Sequence, residues 1–137
     1  LGVPHNPANP FYAQDKAHNP DGQRFVDRGL GAAVNKPAED GKFKVPTLRN
    51  IARTAPYMHN GYFTTLRGAV AFYNDRDVRK RCPKDLPEAE ANRRKCWPAP
   101  EVAANVNTDE LGRLGLSERE VDDIVAFLRT LDDGYKP

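Results

Sequence analysis

Prolines and glycines interrupt this chain so often that little of it can be regular. Twelve prolines and ten glycines are spread over 137 residues. Proline lacks a backbone donor and clashes with a preceding helical turn, while glycine loses the most freedom when it is ordered. Residues 1–42 show the consequence. "HNPANP", "HNPDG" and "EDGK" are turn chemistry, and only a short helical or extended piece is expected near residues 25–30.

Helical period appears further on. Pro46 restricts its predecessor and leads into a short helix with Thr47 as N-cap. Leu48 and Ile51 share one face, and the helix is expected to end near Arg53 before "TAPYMHNG" breaks it. Thr64 or Thr65 caps the next helix, whose apolar positions are Leu66, Ala69, Val70 and Tyr73. Asn74-Asp75 ends it. Residues 75–110 are polar and proline-rich, with a short helix expected across 87–95 and the rest read as an excursion from the core. The clearest element is "LSEREVDDIVAFLRTLDDG". Ser117 and Glu120 are spaced as a capping box. Val121, Ile124, Val125, Leu128 and Leu131 form one stripe, and Gly134 is placed as a terminator. No stretch alternates as a strand would. The expectation is an all-α domain of three or four helices tied by long loops.

Hydrophobic residues are 39% and charged residues 29% of the chain, so one domain of this size can build only a compact core. A charge of +2, from 21 basic and 19 acidic residues, is too balanced to argue for nucleic acid or an anionic membrane. The basic runs 79–81 and 93–95 sit among acidic residues and read as a solvated face. No apolar run approaches the roughly 20 residues that span a bilayer. No signal peptide is recognisable. The opening "LGVPHNPANPFY" reads like the interior of a protein, which predicts a mature product or a fragment of a longer chain.

So few helices with such long loops need another source of order: a disulfide, a metal or a large apolar cofactor. Cys82 and Cys96 are the two cysteines. In an oxidising compartment they would close a loop worth about 3 kcal/mol; in a reducing cytosol they would be separate thiols. The Pro, Lys and Arg residues around them make a poor core, which favours the disulfide. Haem also suits such a chain, because helices and loops can wrap a flat apolar disc. Histidine, methionine and tyrosine can all bind haem iron, so Met58, His59 and Tyr73 are the candidates. Each has a plain alternative: packing for Met58, a turn hydrogen bond for His59, a core position for Tyr73. His5 and His18 lie in turns. No catalytic serine–histidine–acid arrangement, phosphate-cradling loop or carboxylate pair stands out, and "RGLGAA" does not match a dinucleotide fingerprint.

The stretch "FKVPTLRNIARTAPYMHNGYFTTLRGAVAFYN" closely resembles the C-terminal haem domain of bacterial di-haem cytochrome c peroxidases and the related MauG-type enzymes. "LGVPHNPANPFY" resembles the segment after the haem attachment site, and "LGLSEREVDDIVAFLRTL" the closing helix. Residues 75–107 have no clear counterpart. The resemblance implies a partial cytochrome-c-like domain over 1–137 from a periplasmic protein with two c-type haems. One haem reacts with peroxide and the other, in the C-terminal domain, relays an electron.

At the position where the peroxidases place a methionine ligand this chain has Tyr73, as the MauG-type enzymes do. The resemblance therefore makes Tyr73 the distal axial ligand of the relay haem iron and leaves Met58 off the ligand position. It also implies a calcium ion bound by backbone carbonyls of Thr54 and Pro56, Arg49 paired with a haem propionate, and Leu48, Tyr57 and His59 as pocket wall. No C-x-x-C-H motif is present, so haem c would be attached outside this segment, by a missing N-terminal haem-bearing segment or chain. A redox protein, as donor or substrate, would be the further partner. The function so implied is part of a peroxidase-like or MauG-like oxidoreductase. The rivals are an electron-transfer cytochrome without peroxide chemistry and a haem-free, disulfide-stapled interaction domain.

Overall fold

The chain is described by a computed structural model over residues 1–134; the last three residues of the domain expected over 1–137 lie outside the described residues. Its regular elements are α1 (Leu30–Val34), α2 (Leu66–Asp75), β1 (Lys80–Arg81), α3 (Glu88–Arg93), β2 (Cys96–Trp97) and α4 (Glu118–Arg129). Single 3-10 turns occupy Pro10–Ala13, Gly22–Arg24, Pro37–Glu39 and Ile51–Arg53.

The expected all-α class is overturned. β1 and β2 pair in parallel, with Lys80 opposite Cys96 and Arg81 opposite Trp97. Isolated bridges join Pro4 to Pro100, Gly29 to Lys42 and Tyr57 to Phe63. The helices are short, and most of the chain is loop. Strands of two residues carry no readable alternation, and each pairing is made across a loop, so a search for periods along the sequence passes over them. No helix among the described residues is long and apolar enough to cross a membrane.

α2 starts where a cap permits it. The Thr65 side chain accepts a hydrogen bond from the Gly68 amide at 3.0 Å, satisfying one of the donors left over at a helix start. One face then buries Ala69 and Phe72 against the main core, where Phe63, Phe72 and Trp97 meet with ring centroids 5.0, 5.2 and 5.8 Å apart. Segment 75–107, expected to lie outside the core, supplies Leu86, Ala91 and Trp97 to it.

α4 forms as its sequence dictates. Ser117 and Glu120 make a reciprocal capping box. Val121 and Val125 pack on Val70, with Leu66, Leu116, Ile124 and Leu128 around them. Arg67 adds exposed ion pairs from α2 to Glu118 and Asp122. The helix stops at Arg129, so Leu131 lies beyond it; the Leu131 carbonyl instead accepts from the Asn50 amide at 2.8 Å.

Two expectations shift. The helix expected from Thr47 is only the Ile51–Arg53 turn, because Asn50 sits in the left-handed region at φ 58° and breaks the helical path. The piece expected at 25–30 lies one step later, as α1. Its Gly31 lies against the backbone of Asp40, where a Cβ would come within 2.7 Å of the Asp40 Cα, and Asn35 ends it at φ 52°.

Cys82 and Cys96 are joined by a disulfide spanning 14 residues, with their Cα atoms 5.1 Å apart. In the chain-entropy account such a bridge contributes about 3 kcal/mol. The double variant Cys82→Ser/Cys96→Ser is expected to lose about that much in a urea titration. An unchanged midpoint would mean that the pairing of β1 with β2 and the burial of Trp97 hold the segment without it.

Candidate functional site

An open, largely apolar cavity of about 1340 Å³ lies between the α2–α4 face and the segment 43–59. Leu66, Ala69, Val70 and Tyr73 reach it from α2, and Ile124 and Leu128 from α4. Every residue singled out from the sequence lines it: Tyr73, Leu48, Arg49, Tyr57, His59, Thr54 and Pro56. Met58 lines it too. His18 does not; it is exposed and pairs with Asp15 at 2.8 Å. His5 packs against Tyr12, with ring centroids 4.7 Å apart.

Tyr73 stands in the last turn of α2. The residue is 36% exposed, and its hydroxyl has no hydrogen-bond partner among the described residues. Burial against apolar walls pushes its phenol above the ordinary tyrosine value, because a charged oxygen is penalised where water is scarce. The group is thus a neutral phenol unless a cation stabilises its anion.

The loop 54–63 forms the opposite wall. The Tyr57 amide donates to the Phe63 carbonyl at 2.7 Å, which closes the loop, and the Tyr57 ring is buried. The His59 imidazole stacks on Phe43 at 3.7 Å with the planes only 13° apart. Its Nε2 lies 3.8 Å from Glu101 Oε2, too far for a hydrogen bond. Glu101 was not legible as a site residue: it is one carboxylate in the proline-rich run "WPAPEV". The structure puts it in the cavity wall, where its Oε1 accepts from the Tyr12 hydroxyl at 3.0 Å and its Oε2 is buried without a hydrogen-bond partner. Burial raises its pKa, but His59 and Tyr12 outweigh that and hold it below the usual carboxylate range. Arg49 and Leu48 sit on the exposed lip, and Arg49 has no carboxylate partner among the described residues.

The chemistry of this lining fits a large flat apolar group. The cavity exceeds the roughly 300–1,000 Å³ of common small-molecule pockets. Its walls are mostly apolar, one unpartnered phenol faces in, and one unpaired guanidinium stands at the edge. A calcium ion is less well provided for. The carbonyls of Thr54 and Pro56 accept no hydrogen bond among the described residues, and such oxygens suit a hard cation. No group of three or more acidic, histidine or cysteine side chains able to hold a metal occurs among the described residues. The two carbonyls would therefore be a minority of a calcium shell.

No protein-family model matches the chain. It is 48% identical over 120 residues to the methylamine utilization protein MauG of Paracoccus denitrificans, an alignment covering 85% of this chain and 30% of that protein. It is 36% identical over 118 residues to a cytochrome-c peroxidase of Denitromonas iodatirespirans, covering 85% of this chain and 25% of that one. Two solved structures share the fold. A MauG-like protein associated with microbial copper homeostasis matches 97% of this chain and 32% of its own, at a TM-score of 0.60 and 26% identity. A di-haem peroxidase from Burkholderia thailandensis, solved as a tyrosine-to-methionine variant, matches 98% and 32%, at a TM-score of 0.59 and 30% identity. Two of these relatives are named as MauG or MauG-like and two as peroxidases, one of them di-haem. The chain belongs to the di-haem family of MauG and the cytochrome c peroxidases. It spans between 25% and 32% of the length of the four relatives named.

Proposed function

We propose that this chain forms the pocket of the electron-relay haem in a periplasmic di-haem oxidoreductase, with Tyr73 as the distal axial ligand. The observation that carries this is the unpartnered Tyr73 hydroxyl on the cavity face of α2. A bound haem c, attached by a segment outside these 137 residues, supplies one-electron chemistry. The chain's own residues do the rest. Tyr73 would hold the haem iron through its phenol oxygen and would do so as the anion, since burial disfavours that charge without a cation. A hard anionic oxygen stabilises the ferric state and lowers the reduction potential relative to a methionine ligand. Leu48 and Tyr57 exclude water, His59 is fixed by stacking, and Arg49 offers a counter-charge to a propionate. The Thr54 and Pro56 carbonyls contribute to a calcium shell completed from elsewhere. With the remaining domain the reaction class is peroxide-dependent oxidation of a protein or small donor. The disulfide accords with an oxidising compartment such as the periplasm.

The test is Tyr73→Phe in the haem-loaded full-length protein. The ferric absorption spectrum is expected to change and the midpoint potential to rise. A ferric spectrum identical to that of the unsubstituted protein would overturn the assignment.

A further inference from the structure

The cavity is formed in part by α2, yet α2 is gripped from behind by segment 75–107. At its start, Glu88 from α3 is 4% exposed. Its Oε2 accepts from the Thr64 amide and, at 2.6 Å, from the Thr64 hydroxyl. Its Oε1 accepts from the Thr65 hydroxyl at 2.9 Å. Thr65 is the N-cap, so its oxygen accepts from the Gly68 amide while its proton goes to Glu88. A hydroxyl has one proton to place, and the carboxylate takes it, aiming the lone pair into the helix. Gly68 makes room for this: a Cβ there would lie 1.6 Å from Glu88 Oε1. At the other end, Asp75 accepts from the Trp97 indole at 2.8 Å and from Arg79 at 2.6 Å. The Tyr62 hydroxyl adds a bond to the Leu86 carbonyl at 2.8 Å, just ahead of α3.

Both ends of the ten-residue α2 are therefore tied to segment 75–107, the start to Glu88 inside the disulfide loop and the end to Arg79 and Trp97 on either side of it. Tyr73 has no side-chain partner of its own among the described residues, so the helix axis and register determine where its oxygen stands.

We infer that Glu88 is a positioning residue for Tyr73: through the Thr64–Thr65 cap it fixes the α2 start and hence the point that the phenol oxygen reaches in the cavity. This rests on the reading of Tyr73 as an iron ligand. Glu88 touches neither the cavity nor any group in it. Its effect is wholly through α2.

The experiment compares Glu88→Gln, Tyr73→Phe and Ser117→Ala in the haem-loaded full-length protein, by ferric spectrum and midpoint potential. Ser117→Ala removes a cap from α4, a helix that also lines the cavity, and serves as the control for lost stability alone. A glutamine keeps the volume of Glu88 but turns one acceptor into a donor: aimed at Thr64 it opposes the backbone N–H, and aimed at Thr65 it donates to the hydroxyl, which then no longer gives its proton to residue 88. The expected result is a ferric spectrum for Glu88→Gln displaced toward that of Tyr73→Phe, with Ser117→Ala unchanged. Amide exchange at residues 66–70 should also become roughly fivefold faster, as loss of a helix cap implies. If Tyr73→Phe alters the spectrum while Glu88→Gln leaves both spectrum and exchange unchanged, the positioning role is wrong and the ligand assignment stands. If Tyr73→Phe itself changes nothing, both fall. Should Glu88→Gln not fold, Thr65→Val and Thr65→Ser test the same link. Valine should displace the spectrum and serine should preserve it; the two behaving alike would overturn the inference.

Discussion

Replacing Trp97 by alanine is expected to lower the unfolding free energy by about 3–5 kcal/mol. The indole is fully buried at 0% exposure and stands edge-on to both Phe63 and Phe72, an arrangement that adds to simple area burial. Arg79 lies 4.7 Å above its ring, and its N–H is donated to Asp75. Truncation opens a cavity in the main cluster and removes a bond from a carboxylate in the same step. Trp97→Phe keeps one aromatic ring in the cluster but loses the N–H and part of the indole volume, so its loss should be smaller than that of Trp97→Ala. The chain has one tryptophan, so the urea titration must be read by circular dichroism rather than by fluorescence. A loss below about 1 kcal/mol for Trp97→Ala would show that the cluster closes over the gap.

The second large effect is expected from Arg76→Met, again about 3–5 kcal/mol. Arg76 is 2% exposed. It donates to the carbonyls of Leu1, Asn107 and Leu111 at 2.6, 2.7 and 3.1 Å, and forks onto Asp77. Methionine keeps the stem but strands three carbonyls and a carboxylate. The pair also makes stability depend on acid. The Arg76 hydrogen bond holds the Asp77 carboxyl below the usual aspartate range. A depressed native value gives stability that is full above the unfolded pKa of about 4 and is lost as the pH falls through the lower native one. Melting curves at pH 7 and at about pH 3 should therefore differ less in Arg76→Met than in the unsubstituted chain. An equal acid loss in both would assign the sensitivity to other carboxylates.

What the sequence made legible was local. Ser117 with Glu120 and the stripe at Val121, Ile124, Val125 and Leu128 define α4 from a dozen neighbouring letters, and the pair Thr64–Thr65 marks the start of α2, where the structure selects Thr65. Residue chemistry nominated Met58, His59 and Tyr73 as possible ligands, but the choice of Tyr73 and the naming of Leu48, Arg49, Thr54, Pro56 and Tyr57 came from the resemblance, since Tyr73 alone reads as a core tyrosine. What was not legible is made at long range. The pairing of β1 with β2 needs residues 16 apart to meet, as Lys80 and Cys96 do. Glu88 reaches back 24 residues to Thr64, and nothing in "LPEAEAN" distinguishes a buried carboxylate from a solvated one. The helix expected after Thr47 failed because Asn50 adopts a left-handed backbone that its side-chain type tolerates but does not announce. Glu101 is hidden for the same reason as Glu88.

The disulfide also decides how the chain carries load. Tension applied along the backbone passes from Cys82 to Cys96 through the sulfur bridge, across 5.1 Å, while residues 83–95 form a slack loop. At about 3.5 Å per extended residue, roughly 45 Å of contour length is withheld from any stretching of the chain. α3 lies on that slack loop, so tension between the two ends of the molecule does not stretch α3 itself, although Thr64 and Thr65, which Glu88 holds, remain on the loaded backbone. Trp97, just outside the ring, is in the line of force, so the load passes through the main aromatic cluster that it shares with Phe63 and Phe72.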